Sequence, residues 1–443
     1  MIFYEIHLDN FTDRTYFRVP PILKDDSKDI YNSSRRLLAA RTDTMSVKQG
    51  FIRARKLVVA VLSIIMMIFG STSLVASQAV FQLCYPKGSP QLQQKYNYTK
   101  KAFISLLISI LNFVSPSAIR ISTDNATLAK GTFYKSNGKL MSHLKHRSII
   151  IANHQIYTDW VFLWWLLSTS NLASNIFIIL KKSLESIPIL GYGMRNFRFI
   201  FISRRWVQDK ITLQNSLGTI DANSRGVGPL SGNQPLRVEE DGEMFWNTNK
   251  VDESKSWPYS LLLFPEGTNL SPTTRRRSAS FAEKVGQQAF RHVLLPHATG
   301  LRTSLKLLGP SVEVVYDITI GYSGVGRDTY GEMIYRLPNI FLRGETPKLV
   351  DMHIRAFNVA EIPVDDEEEF NQWLYKVWKE KDDLMETYYT KGSFDLDPEL
   401  DQTVVGKFNV DLKPCIVTSI VPTAFVLSLL LVTYLMYLLY SKL

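Results

Sequence analysis

Cysteine is almost missing from this chain: 443 residues contain only Cys84 and Cys415. Each borders a long apolar run, so the pair supplies neither a disulfide framework nor a zinc site. His292 and His297 lie close together but have no acidic ligand cluster around them. They read as structural, as do His143 and His146. A Gly-x-Ser-x-Gly turn is also missing, which removes nucleophile-elbow hydrolases from consideration. Gly191 and Gly193 lack the third glycine of a dinucleotide loop and read as a turn. No internal repeat is present. Acidic residues are in deficit: 41 Asp and Glu stand against 51 Lys and Arg, for a formal net charge of +10. No RNA- or DNA-binding motif accompanies this excess. Nucleic acid is therefore not an expected partner, and anionic lipid headgroups account for the charge better.

Long apolar runs are what the chain does have. Residues 57–83 carry no charge and are long enough to cross a bilayer. The shorter run 102–118 pairs with them as an expected membrane hairpin, its second arm crossing or lying at the interface. A third run, 415–440, reads as a transmembrane helix in which Pro422 is tolerable. Tyr434, Tyr437, Tyr440 and Lys442 there have the pattern of an interfacial belt. Arg35, Arg36, Arg41, Lys48, Arg53, Arg55 and Lys56 precede the first run, so residues 1–56 read as a basic cytosolic region. Lys87, Lys95, Lys100 and Lys101 beyond the run oppose that orientation. Some fifty polar residues ahead of the first run fit a signal anchor rather than a cleaved leader. Two sequons, at Asn97 and Asn125, matter only if lumenal, and a hairpin would place only Asn97 there.

From Thr132 onward, apolar strand candidates alternate with helical stretches. The expected strands are 148–152, 175–180, 199–202, 260–264, 293–295 and 312–320. This alternation predicts an α/β domain with a mainly parallel sheet flanked by helices, over 119–322. A Gly-, Pro- and Asn-rich stretch, 221–258, reads as a flexible insertion. Residues 323–405 read as a C-terminal subdomain. It holds an amphipathic helix marked by Phe370, Trp373, Leu374, Val377, Trp378 and Leu384. The acidic run 365–369 ahead of it suits a helix N-terminus.

Two turns carry the chemistry. Asn153-His154-Gln155-Ile156-Tyr157-Thr158-Asp159 follows the buried strand 148–152 and opens an apolar helix. It sits at a strand carboxyl end, where α/β proteins expose reactive groups. A neutral imidazole can take a proton from a hydroxyl, and a nearby carboxylate fixes its tautomer and stabilises the imidazolium. Alone, such a histidine is structural more often than catalytic. The second run, Leu261 to Leu270, ends a strand in Phe264-Pro265-Glu266-Gly267-Thr268. Gly267 permits a tight turn, and Thr268 offers a hydroxyl and a backbone N–H.

Together these segments resemble the first and third blocks of the glycerolipid acyltransferase family. Residues 187–194, with Phe201-Ile202-Ser203-Arg204-Arg205, resemble its second block, and 293–300 its fourth. The blocks run in order over residues 145–305. The resemblance implies that an acyl group passes from acyl-CoA, as co-substrate, to the hydroxyl of a lysophospholipid at a bilayer. It requires no cofactor, metal or covalent intermediate. His154 is then the general base and Asp159 its orienting carboxylate. Asn153 shapes the turn or helps position the oxyanion. Arg204 holds the acceptor phosphate, and Glu266 contacts glycerol hydroxyls or pins Arg204. Pro296 and Thr299 border the acyl-CoA tunnel. Arg275-Arg276-Arg277 meets coenzyme A phosphates, the membrane surface or solvent.

The surroundings of these blocks resemble the lysocardiolipin and lysophosphatidylinositol acyltransferase branch, fungal members in particular. Asn269 stands where lysophosphatidate enzymes usually carry Arg. Phosphatidylinositol remodelling is therefore the expected activity, in the endoplasmic reticulum membrane with the catalytic domain facing the cytosol. Phosphatidate synthesis is the alternative enzyme, and a non-catalytic lipid-binding scaffold the alternative of another class. The motifs leave acyl-chain preference, sn position and oligomeric state open.

Overall fold

Near-continuous runs of Ile, Leu and Val belong to strands covered on both faces, and the central strands here are of that kind. A computed structural model describes residues 27–203, 205–394 and 401–440. Residues through Arg55 form one compact unit and those from Lys56 another. The packing below lies within the second.

In chain order, α1 (Ser27–Cys84) and α2 (Pro90–Val114) lead into β1 (Ala118–Asp124) and a small hairpin, β2 (Phe133–Ser136) with β3 (Lys139–Ser142). Then come β4 (Arg147–Ala152), α3 (Asp159–Ser168), β5 (Ile176–Lys181), α4 (Leu190–Asn196), β6 (Ile200–Ile202) and α5 (Trp206–Ser224). A two-residue-stranded hairpin, β7 (Arg237–Val238) with β8 (Met244–Phe245), precedes β9 (Tyr259–Leu263), α6 (Pro272–Lys284), α7 (Ala298–Leu308) and β10 (Val314–Tyr322). Short α8 (Gly331–Ile334) and α9 (Leu337–Arg343) are followed by β11 (Leu349–Asn358), α10 (Glu367–Lys391), β12 (Asp401–Lys407) and α11 (Lys413–Tyr440).

Eight strands form one sheet in the order β12-β1-β11-β10-β4-β9-β5-β6. Five of its seven junctions are parallel, and only β10 with β11 and β1 with β12 run antiparallel. The mainly parallel α/β fold expected from the sequence is therefore present. Side chains alternate across it with the period of a strand. Ile150, Ala152, Leu262 and Ile318 pack with Trp164 of α3 and Phe103 of α2 on one face. Ile149, Ile151, Leu261 and Val315 pack with Leu217, Leu305 and Trp378 on the other.

Several expectations change. Residues 293–295 are not a strand: Val293, Leu294 and Leu295 are buried in the loop between α6 and α7. Their amides go to side chains rather than to a ladder, Leu295 N–H donating to Ser278 Oγ at 2.8 Å and Val293 N–H to Asp382 Oδ1 at 3.3 Å. Within 323–405, expected as a C-terminal subdomain, β11 and β12 join the same sheet, on either side of β1. The insertion 221–258 begins inside α5 and has defined structure instead of the expected flexible stretch. Arg225, almost fully buried, pairs with Asp221 at 2.6 Å and donates to the carbonyls of Asn247 and Lys250. Gly191 and Gly193 lie in a helix, α4, not a turn. A Cβ on Gly191 would meet the Glu185 carbonyl oxygen at 2.0 Å, so this close approach requires glycine.

The hairpin's second arm is the largest change. The run 102–118 breaks at Val114, and α2 packs against the domain core. Buried Lys100 donates to the Ile176 carbonyl at 2.8 Å, and Asn112 Nδ2 to that of Phe408 at 3.0 Å. Asn97 lines the same cavity as Asn175 and Arg198, and Asn125 directly follows β1. Among the described residues, two helices are long and apolar enough to cross a membrane, Arg53–Cys84 and Lys413–Leu438. Both expose large apolar side chains, such as Leu57, Phe69, Leu427 and Leu430, as a lipid-facing surface does. Ser77 Oγ donates to the Thr418 carbonyl at 2.6 Å and joins the two helices.

Candidate active site

β4 ends at Ala152 and α3 begins at Asp159, so the chain must turn back within six residues. The Asp159 side chain, fully buried, organises that turn. Its Oδ2 accepts the N–H groups of Gln155 at 2.6 Å and Ile156 at 3.0 Å, and lies 2.7 Å from His154 Nδ1. Oδ1 accepts the Tyr322 hydroxyl. A buried carboxylate is tolerable when its lone pairs are used this fully. Burial first, and Asp159 second, hold the Tyr322 phenol well above its ordinary pKa, so it remains a donor.

His154 keeps partial access to solvent, with 19% of its side chain exposed against 0% for Asp159. The Asp159 contact assigns the proton to Nδ1 and leaves the Nε2 lone pair available. The ring stacks on Phe264, with centroids 4.3 Å apart and planes 23° apart. Leu270 N–H donates to the His154 carbonyl at 2.7 Å. Thus the turn after β4 and the turn after β9 are one assembly.

Glu266, expected to contact glycerol hydroxyls or pin Arg204, occupies the buried side of that assembly. It is 3% exposed, and its Oε1 accepts Trp378 Nε1–H at 3.3 Å. Burial pushes its carboxyl up to about 8, against the lowering effects of Trp378, the His154 and Leu294 amides and Lys381. Lys381 is itself fully buried and lies 2.7 Å from Asp317, which also accepts Arg355 Nε–H at 2.8 Å. Its ammonium donates to the Ile318 carbonyl at 2.9 Å and to Thr319 Oγ1 at 3.1 Å.

Asn153, expected to shape the turn or help position the oxyanion, is tied into the sheet. It is fully buried, its Nδ2 donates to the Ile320 carbonyl at 3.0 Å, and its Oδ1 accepts Ile320 N–H at 2.8 Å. Both ends of the amide thereby extend the β4–β10 ladder, and Nδ2 also lies 3.9 Å from Met385 Sδ. Gly267 is exposed with φ +70°, the left-handed conformation its turn requires, and Thr268 beside it is half-buried. His297 N–H donates to the Pro265 carbonyl at 2.8 Å, which fastens half-buried Pro296 beside the same turn. Arg204 lies outside the described residues. Asp209 holds both of its neighbours, accepting Ser203 N–H at 2.8 Å and Arg205 N–H at 2.9 Å.

On α6, Arg276, Arg277, Ser280, Phe281 and Lys284 line a shallow hollow of about 340 Å³. Phe281 lies 5.6 Å, ring to ring, from His297, so this cationic hollow borders the second turn. The residue motif reasoning missed is Tyr322, four positions beyond Ile318, the β10 residue that pairs with Ala152. Trp378 and Lys381, three apart on the amphipathic helix α10, carried a visible signal as a cation within an apolar stripe.

A histidine held through Nδ1 by a buried carboxylate, at a strand carboxyl end of an α/β sheet, has the geometry of a general base. The chain belongs to the acyltransferase family, whose domain matches residues 133–322 and whose C-terminal domain matches 340–420. It is 54% identical to a Saccharomyces cerevisiae protein named 2-acyl-1-lysophosphatidylinositol acyltransferase, over 84% of this chain and 94% of that one. An uncharacterized acyltransferase of Schizosaccharomyces pombe is 32% identical, over 77% of this chain and 88% of its own. Lysocardiolipin acyltransferase 1 of Gallus gallus is 30% identical over 60% of each chain. The protein is thus an acyltransferase, and its two apolar helices associate it with membranes.

Proposed function

We propose that this enzyme acylates lysophosphatidylinositol, using acyl-CoA as donor and His154 as general base. The observation that carries the chemistry is the 2.7 Å contact between His154 Nδ1 and buried Asp159. The acceptor follows from the 54% identical relative. His154 Nε2 takes the acceptor hydroxyl proton as that oxygen attacks the thioester carbonyl. The new C–O bond forms, the C–S bond breaks, and the coenzyme A thiolate takes the proton from the imidazolium. Asp159 stabilises the imidazolium between these steps. A well-placed base contributes on the order of 10²–10⁴ in rate.

The surrounding charges suit these substrates. With its carboxyl held near 8, Glu266 is largely neutral at pH 7 and does not repel a phosphate. The α6 hollow with Arg276, Arg277 and Lys284 offers cations to coenzyme A phosphates. Arg204 is proposed for the acceptor phosphate, and Gly267, Thr268 and Pro296 for the substrate channel. The domain faces the cytosol of the endoplasmic reticulum, with α1 and α11 in the bilayer, following the basic residues before α1.

The test is acyl transfer in membranes carrying this protein or its His154→Ala variant. Labelled stearoyl-CoA and oleoyl-CoA are offered with lysophosphatidylinositol, lysophosphatidate or lysocardiolipin. His154-dependent transfer mainly to lysophosphatidylinositol is expected. Transfer mainly to lysophosphatidate overturns the acceptor, and activity that survives His154→Ala overturns the mechanism.

A further inference from the structure

A cavity of the domain lies away from His154. It has a volume of about 330 Å³ and is lined by residues just ahead of β5, β6 and β9, including Asn175, Arg198 and Pro258. Those are the amino ends of the strands, and the carboxyl end of one of them, β9, carries the second catalytic turn. β9 alone, at five residues, separates the two regions by about 15 Å. The outer wall comes from the insertion, through residues such as Leu230 and Trp257. The acyl-transfer reading gives neither the insertion nor the cavity a role.

Its chemistry is one-sided. No carboxylate lines the cavity. Arg198 does, and among the described residues its guanidinium has no hydrogen-bond or ion-pair partner. Its backbone is left-handed, φ +57°, a conformation in which a long side chain is uncommon. Behind it Lys100 is fully buried, over the rings of Phe177 and Phe199, with the Ile176 carbonyl as acceptor. Burial first, and then Arg198, push the Lys100 ammonium well below its ordinary value. A guanidinium with no acid beside it and a buried lysine behind it is a group that an entering anion would relieve. The rest of the lining is neutral, with amides and hydroxyls set among apolar side chains such as Phe177, Leu230 and Trp257. Asn97 Nδ2 and the hydroxyls of Ser216 and Thr219 have no protein partner among the described residues. Neutral amides and hydroxyls around one guanidinium match a ligand with one phosphate and several hydroxyls.

We propose that this cavity is a second binding site, for a phosphorylated polyol. The source is either a free sugar or inositol phosphate, or the headgroup of an inositol phospholipid. The site is separate from the catalytic turns, and its existence does not depend on the acceptor proposed above. A bound ligand would join α2, the strand ends and the insertion through one anion.

The test uses the full chain in phosphatidylcholine nanodiscs, titrated calorimetrically with myo-inositol 1-phosphate. Saturable binding is expected, weakened roughly ten- to hundredfold in Arg198→Asn by loss of charge-assisted hydrogen bonds. Asn tolerates the left-handed backbone, so this variant keeps the fold, and an unchanged melting temperature checks it. Thr219→Leu, which fills the cavity without touching Arg198, is expected to weaken binding as well. Competition by phosphatidylinositol in the nanodisc supports the site with a lipid headgroup as its source. Undisturbed binding supports it with a free phosphate as the source. No saturable binding to the unaltered protein, or equal binding by Arg198→Asn, overturns the proposal.

Discussion

Tyr322 donates its hydroxyl to Oδ1 of Asp159, the oxygen opposite the one that holds His154. The two residues are 163 positions apart in sequence. A β10 side chain thus fixes the carboxylate that fixes the base, and the base depends on the sheet for its orientation. Tyr322→Phe keeps the ring's packing against Phe162 and removes only this bond. The expected result is a roughly tenfold fall in kcat with little change in KM, the size of a lost hydrogen bond to a charged group. Steady-state kinetics checks it. A rise in KM with unchanged kcat would place Tyr322 in substrate binding instead.

Asp159→Asn should be far more damaging. The amide cannot take the Gln155 and Ile156 N–H groups and the His154 Nδ1–H as a carboxylate does. It favours the wrong tautomer, and kcat should fall by about 10³–10⁴. His154→Ala should fall within 10²–10⁴. The double variant should be no worse than the more damaging single one, because the pair acts as a unit. Additive losses would show that they act separately.

Glu266 sets an alkaline limb on stability. Its folded-state value of about 8 exceeds its ordinary 4.5, so the folded protein binds the extra proton between these values. Stability fully present below about 4.5 is therefore lost as pH rises through about 8. Glu266→Gln keeps an uncharged group of the same shape. Melting temperatures from pH 6 to 9 should fall with pH for the unaltered protein and flatten for the variant. Activity at pH 7 should persist. A variant that is stable but inactive would make Glu266 a participant in the chemistry.

The buried pair of Lys381 and Asp317 supports the wall behind Glu266. Lys381→Met leaves the Asp317 charge to Arg355 alone and unpairs the Ile318 carbonyl. A loss of about 3–5 kcal/mol is expected for breaking such a pair. Thermal inactivation of the enzyme in micelles measures it. Asp317→Leu combined with Lys381→Met should recover part of the loss, because no charge then remains unpaired.

Local pattern was enough for much of this protein. The run Ser148 to Ala152 could only be a doubly covered strand, and the polar turn after it placed His154 and Asp159 together. Their contact at 2.7 Å needed nothing beyond a tight strand-to-helix turn. Parallel strands followed from helices alternating with short apolar runs. Misreadings arose where an apolar run had two possible neighbours. α2 and α1 look alike by hydropathy, and only the sheet receiving Lys100 at Ile176 shows which one packs on protein. The triplet 293–295 is as apolar as β6 but has no open strand edge beside it. Asn153 and Glu266 are polar residues in functional motifs whose partners, Ile320 and Trp378, lie more than a hundred residues away.

The sequence by itself determined the turn chemistry, the strand set at the centre of the sheet and the two helices that face lipid, because each depends on residues near one another in the chain. Tertiary structure alone decided which polar groups remain free. Asn153 is tied to Ile320, Glu266 is buried against Trp378, His154 Nε2 is left open, and Arg198 faces a cavity without an acid. Burial and hydrogen-bond satisfaction are properties of everything packed around a group, and no local pattern carries them.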